Sequence, residues 1–181
     1  MTMRLLALCG SLRAKSSNRT LLEGAAALTP DGVTLEIYEG IAELPQFNPD
    51  IEDENQPDSV TAFREALTKA DGVVISSPEY AHGVPGALKN ALDWVVGTSE
   101  LVEKPIALFN AFPRSTYAVA QLSETLTVMS GRLIDDAHVT VQMAGREIPE
   151  GGVAADRELA PILREALARF VAAIKGLPHD S

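Results

Sequence analysis

The stretch DGVVISSPEYAHGVPGALKNALDW, residues 71–94, writes out a strand, a turn and a helix in succession. Val73, Val74 and Ile75 form a short unbroken apolar run, the pattern of a strand buried on both faces. Ser77 and Pro78 stop it, and Gly83, Pro85 and Gly86 punctuate the next ten residues. From Val84 onward the apolar residues Leu88, Ala91, Leu92 and Val95 return at helical spacing. Between the two lies a Tyr80-Ala81-His82 tip, which is either an awkward turn or the rim of a binding site.

The same unit recurs along the chain. MRLLALCG (3–10) reads as a buried strand, and SNRTLLEGAAAL (17–28) as a helix with Leu21, Leu22, Ala25 and Leu28 on one side, stopped by TPDG. VTLEIYE (33–39) alternates and reads as a second strand. GIAELPQFNPDIEDENQP (40–57) reads as a polar loop of unusual length, and such loops inside a domain are functional or disordered. Asp58 caps a helix running to Ala70, with Val60, Phe63 and Leu67 inward. KPIALFNA (104–111) is a fourth strand, a helix follows over 115–130, AHVTVQM (137–143) is a fifth strand, and a last helix covers 154–175. Five alternations of apolar strand and amphipathic helix predict an α/β fold, a parallel sheet with helices on both faces, in one domain over 1–181.

Composition narrows the function. At 46% hydrophobic the chain can bury a sizeable core, yet no apolar run approaches the ~20 residues that span a bilayer. The apolar run before Gly10 is too short for a secretory leader. The lone cysteine, Cys9, allows no internal disulfide and no Cys-based metal site, so a cytoplasmic protein is expected. Net charge is −10, and the stretch from Glu23 to Asp58, with ten acids and no Lys or Arg, accounts for all of it. That reads as a solvated acidic face and disfavours nucleic acid, which needs a basic footprint. Residues 1–22 carry Arg4, Arg13, Lys15 and Arg19 and no acid, so a small anion has a place to bind.

In an open α/β sheet, ligands bind beyond the carboxyl ends of the strands. Three loops fall there: GSLRAKSSN (10–18), SPEYAHGVPG (77–86) and NAFPRSTYA (110–118). The first joins a turn glycine, hydroxyls at Ser11, Ser16 and Ser17, Arg13, Asn18 and a helix start, a phosphate cradle by its chemistry. It lacks the Gly-Lys-Ser/Thr of a Walker loop, and it matches neither G-x-G-x-x-G nor G-x-S-x-G. Helix capping by Ser16, Ser17 or Asn18 explains one of these residues; it leaves the other hydroxyls and Arg13 unexplained.

The pair G-S-x-R-x-x-S-x-N and S-P-E-Y-x-x-x-x-P-G-x-L-K-N-A-x-D-W, with LPQFNPDIE after the second strand, resembles the NADPH-dependent FMN reductase family. These are flavodoxin-like proteins that include quinone, azo and chromate reductases. The resemblance implies a three-layer sandwich with a five-stranded parallel sheet in the order 2-1-3-4-5. It also implies bound FMN, with NADPH or NADH as hydride donor and a small molecule such as a quinone, flavin, azo compound or metal oxyanion as acceptor. By the same resemblance Ser11, Arg13, Ser16, Ser17 and Asn18 hold the FMN phosphate. Pro78, Glu79 and Tyr80 lie along the isoalloxazine through backbone groups.

Ala81 stands where the family usually has Asn, and His82, without a counterpart, faces solvent or substrate. Ala81, His82 and Ser115 complete the expected cofactor-binding set. In the third loop, Gly-free here against a glycine-rich family pattern, Pro113 shapes the turn and Ser115 or Thr116 caps the helix. Arg114 reaches the flavin edge or the nicotinamide cofactor's phosphate, or stays on the surface. Asn90 and Asp93 tie their helix to a neighbouring loop, and Trp94 belongs to the core or a subunit interface. The flavin carries the chemistry, so no side chain is required as nucleophile or base. A homodimer or homotetramer is implied, with the helix from Pro85 to Val96 at the interface. The alternatives are a flavodoxin-type electron carrier, which the acidic charge suits, and a scaffold that has lost its flavin.

Overall fold

The computed structural model describes residues 2–54 and 56–177, without the side chains of 52–54. Its apolar runs form strands β1 (Met3–Cys9), β2 (Val33–Ile37), β3 (Gly72–Ser76) and β4 (Pro105–Asn110). Two two-residue strands follow, β5 (Arg132–Leu133) and β6 (Val139–Thr140). All pair in parallel in the order β2-β1-β3-β4-β5, with β6 also on β4. Leu5 of β1 lies between Leu35 and Gly72, and Val74 pairs with Ala107. The helices are α1 (Ser17–Ala26), α2 (Pro49–Glu54), α3 (Asp58–Lys69), α4 (Gly86–Asp93), α5 (Thr116–Val128) and α6 (Leu159–Gly176). This is the flavodoxin-like sandwich.

Alternation along the strands divides the core in two. Leu5 and Ala7 of β1 pack with α1 and α6 (Leu21, Leu22, Phe170), whereas Leu6 and Leu8 face α3, α4 and α5 (Phe63, Leu88, Leu126). Successive side chains of a strand point to opposite faces, so a central strand with helices on both sides must be apolar throughout. Among the described residues, no helix is long and apolar enough to cross a membrane.

Four expectations need correction. The fifth strand is not a continuous 137–143 but two fragments, because Asp135 and Asp136 open a short 3-10 turn (Asp135–Ala137) between them. The segment still follows β4, since Val141 and Met143 donate their N–H to Asn110 and Ala111 carbonyls. The last helix starts at Leu159 rather than Ala154, which belongs to a 3-10 turn. Asp156 sets that start: its carboxylate accepts from the N–H of Glu158 and Leu159 and is gripped by Arg146 at 2.8 and 2.9 Å. Those bonds hold its pKa well below the usual carboxylate range, Arg146 contributing most.

The third correction concerns α3, whose N-cap position is Pro57 and lacks a side-chain cap, with Asp58 in its first turn. Finally, the 40–57 loop is partly helical (Gly40–Glu43 and α2) and is fastened to α4. The Pro45 carbonyl accepts from Asn90 Nδ2 and Trp94 Nε1, and Asn90 Oδ1 accepts from Phe47 N. Asn90 therefore ties helix to loop as expected, and Trp94 is core, with no exposed surface. Asp93 instead pairs with Lys89 on its own helix.

His138, beside the broken fifth strand, has a buried Nε2 without a hydrogen-bond partner among the described residues. Burial pulls its pKa below the ordinary value, and Asp135, 3.8 Å from Nδ1, offsets this in part. A folded-state pKa below the unfolded one leaves stability intact above about pH 6.5 and erodes it as pH falls further, because the unfolded chain takes the proton first. In urea titrations between pH 7.5 and 5, His138→Gln is expected to lose less stability on acidification than the parent. Equal slopes would remove His138 from the pH response.

Candidate cofactor-binding site

Gly10 opens the first loop because β1 and β3 converge there. Its N–H donates to the Ser76 carbonyl at 2.8 Å, and a Cβ would stand 2.6 Å from Ser77 Oγ. Ser11 Oγ then accepts from Arg13 N, and Ser16 is the N-cap of α1, its Oγ accepting from Arg19 N at 3.3 Å. Of the three candidates for that cap, Ser16 does the work. Asn18 commits its side-chain oxygen to Ser76 Oγ at 3.0 Å, tying α1 to β3. The backbone N–H groups of Ser16, Ser17 and Asn18 donate to no protein group among the described residues. They are the orphan donors of a helix start, with the positive end of the helix dipole behind them.

Charge is divided in the same loop. Arg19 is taken up by a two-pronged pair with Glu39 at 2.6 and 2.7 Å and by Glu23 at 2.9 Å. Arg13 and Lys15 form no ion pair among the described residues, and both line the cleft beside the free amides. An anion entering there meets two uncommitted cations.

The second loop is a tight turn whose Pro78–Tyr80 arm borders a cleft, while its Ala81–His82 tip does not. Tyr80 and Gly83 exchange two backbone hydrogen bonds at 3.0 Å, closing a two-residue hairpin whose central residues, Ala81 and His82, have φ of 50° and 59°. Positive φ at both positions is the type I′ turn, which favours Asn and Gly because a Cβ crowds the backbone. Ala81→Asn is therefore expected to stabilise the protein by about 0.5–1 kcal/mol, read as a rise in Tm. A fall in Tm would mean that the turn gains something from alanine.

The hairpin does not stand alone. Glu79 Oε2 accepts from Ala118 N at 2.9 Å, Gln121 Oε1 accepts from Val84 N at 2.8 Å, and the His82 ring stacks on Tyr117 at 4.2 Å and 17°. Glu79 thus caps α5 from another loop. Ser115 holds the N-cap position without a side-chain cap bond, and Thr116 is the first helical residue, so neither caps as expected.

In the third loop Asn110 Oδ1 accepts from Phe112 N, and Ser115 N donates to the Phe112 carbonyl. No residue of 110–118 has positive φ, so the absence of glycine costs the backbone nothing. Arg114 is exposed over the Phe112 ring, 6.0 Å from its centroid.

The three loops enclose a cleft of about 270 Å³. Ser11, Arg13, Ser16, Ser17, Asn18, Pro78, Glu79, Tyr80 and Ser115 all line it, whereas Ala81, His82 and Arg114 do not. Sequence reasoning left out Lys15, Ser77, Ala111, Phe112 and Ala144. Only Lys15 carried a signal, as a cation in an acid-free stretch; the others contribute backbone or small apolar surface. A groove of the same volume beside β2 and α3 lacks a helix start, and its Lys69 is paired with Glu65. The donor set of the cleft, with free helix-start amides, hydroxyls and two cations without an ion pair among the described residues, fits a phosphate, and Pro78–Tyr80 and Ala111–Phe112 form part of its walls.

A parallel sheet in this order, with such a cradle at its carboxyl edge, defines a flavodoxin-like protein. The chain belongs to the NADPH-dependent FMN reductase family, whose sequence pattern it matches over residues 3–146. It is 32% identical to the NAD(P)H-dependent FMN reductase PA1204 of Pseudomonas aeruginosa, over 96% of this chain and 97% of that one. It is 37% identical to the quinone reductase of Escherichia coli K12, over 58% of this chain and 55% of the relative. The matches span about half the length of several such relatives. FerB of Paracoccus denitrificans, a flavoenzyme NAD(P)H:(acceptor) oxidoreductase, superposes with a TM-score of 0.86 at 25% identity, covering 96% of this chain and 98% of FerB.

Proposed function

We propose that the protein is an FMN-dependent NAD(P)H oxidoreductase that reduces a small acceptor such as a quinone, a flavin or an azo compound. The observation that carries this reading is the row of free amides at Ser16–Asn18 facing the same cleft as Arg13 and Lys15, within a family of FMN reductases. The amides, the Ser11 and Ser17 hydroxyls and the two cations would hold the phosphate. The backbone of Pro78–Tyr80 and the Ala111–Phe112 turn would flank the isoalloxazine. When bound, FMN supplies the redox chemistry, taking a hydride from NAD(P)H and passing the electrons on.

The side chains orient and bind. Glu79 is anchored at the start of α5 through Oε2 and keeps acceptor capacity on its other oxygen. We also propose a cytoplasmic homodimer or homotetramer. Tyr80, Val96, Val102, Tyr117 and Val128 are large apolar or aromatic residues left exposed in the single chain, surface that a second copy would cover.

An anaerobic absorption spectrum with FMN, before and after NADPH and then after benzoquinone, tests the function. Bleaching by NADPH and recovery with quinone are expected. Bound flavin that NADPH leaves oxidised would turn the reading to a flavodoxin-type carrier, and no bound flavin would overturn both.

A further inference from the structure

We infer that Gln121 is a positioning residue for the cofactor cleft, acting through a clamp that holds the 79–84 hairpin on α5; the inference rests on the reading of the cleft as an FMN site. The hairpin holds a backbone conformation that its own residues do not favour. Its two central residues, Ala81 and His82, sit at positive φ without the glycine or asparagine that relieves such a turn. The mutual Tyr80–Gly83 bonds close it but do not orient it. Orientation comes from the first two turns of α5, where three neighbouring residues each take hold of a different part of the hairpin. The N–H of Ala118 binds the Glu79 carboxylate before the turn, the Tyr117 ring stacks on His82 at its tip, and Gln121 Oε1 accepts Val84 N–H after it.

Tyr117 and Gln121 are four apart and so share one helix face. Among the described residues, the Gln121 bond is the clamp's only side-chain bond on the far side of the turn. It spans 37 positions in sequence and lies outside the cleft, since Gln121 lines no part of it. Glu79 and Tyr80, which do line the cleft, belong to the hairpin so held. Gln121 acts on the cleft through the backbone of 80–84 and touches no cofactor itself.

Gln121 is exposed, so its replacement leaves the core intact. The test is Gln121→Leu, which keeps size and loses the acceptor, beside Gln121→Glu, which keeps an acceptor oxygen. Two measurements are made: amide hydrogen exchange of Val84 and Tyr80 by NMR in the cofactor-free protein, and FMN affinity with the visible spectrum of the bound flavin. In Gln121→Leu the two amides are expected to exchange faster while core amides hold. FMN binding is expected to weaken roughly two- to tenfold with a shifted flavin band, the loss of one net hydrogen bond. Gln121→Glu is expected to restore both. Unchanged exchange in Gln121→Leu overturns the clamp. Faster exchange with unchanged FMN affinity and spectrum overturns its service to the cleft. If the parent protein itself fails to bind FMN, the functional reading falls and the cofactor role with it, while the exchange rates still decide the clamp.

Discussion

Replacing Arg13 by alanine is expected to weaken FMN binding by about 1.5–3 kcal/mol, on the order of ten- to a hundredfold. Arg13 lines the cleft beside three unused helix-start amides and has no carboxylate to answer to, so its charge is free for a ligand phosphate. Arg19, six residues on, offers a control within the same loop. Its guanidinium is already engaged by Glu39 and Glu23, so Arg19→Ala should change FMN affinity far less. Arg13→Lys should fall between, because an ammonium keeps the charge but loses the two-pronged fork. Riboflavin, which lacks the phosphate, should bind parent and Arg13→Ala alike. Fluorescence titration of both flavins measures all of this, and an Arg13→Ala protein with undiminished FMN affinity would take Arg13 out of the site.

The second large effect concerns stability. Trp94→Ala is expected to cost about 3–5 kcal/mol, a large part of the 5–15 kcal/mol that holds a typical domain folded. Trp94 is fully buried, meets Phe47 edge-on at 5.1 Å, and donates its indole N–H to the Pro45 carbonyl at 2.7 Å. Its removal leaves a cavity where the end of α4 packs on the 40–57 segment and loosens that segment together with it. Trp94→Phe should cost less: most of the packing remains, and Asn90 still donates to Pro45. Urea unfolding measures the loss, and limited proteolysis within 40–57 measures the release of the loop. A cost below about 1 kcal/mol for the alanine variant would contradict the packing described.

Strands β1, β3 and β4 are legible in the sequence as runs of mostly apolar residues and β2 by its alternation, and the helices other than α2 because each repeats its apolar residues at helical spacing. The fifth strand misleads for a specific reason. AHVTVQM has the composition of a strand, but the backbone pairing with β4 begins earlier, at Arg132, and is interrupted by the Asp135–Asp136 turn. Periodicity misplaces the start of α6 because what fixes it, the grip of Arg146 on Asp156, joins residues ten apart and leaves no periodic mark. In the site, residues with distinctive chemistry can be picked out, and nine of the eleven expected ones come together in the cleft. Ala111, Phe112 and Ala144 cannot, because their part is played by backbone and shape. Glu79 falls in the expected turn, yet its side chain caps a helix 39 residues away, a pairing that only the folded chain reveals.

The interruption of the last strand also bears on how the protein keeps its own company. A sheet edge with a long straight strand offers a row of unpaired N–H and C=O groups on which another chain can build. Beyond β4 this edge is two fragments of two residues each, with a tight turn and a pair of carboxylates between them. An incoming strand finds no continuous rail to zip along, and meets negative charge where it would have to bridge the gap. The return is that the sheet gains no strand on this side when many copies are crowded together; the opposite edge, β2, carries no such interruption.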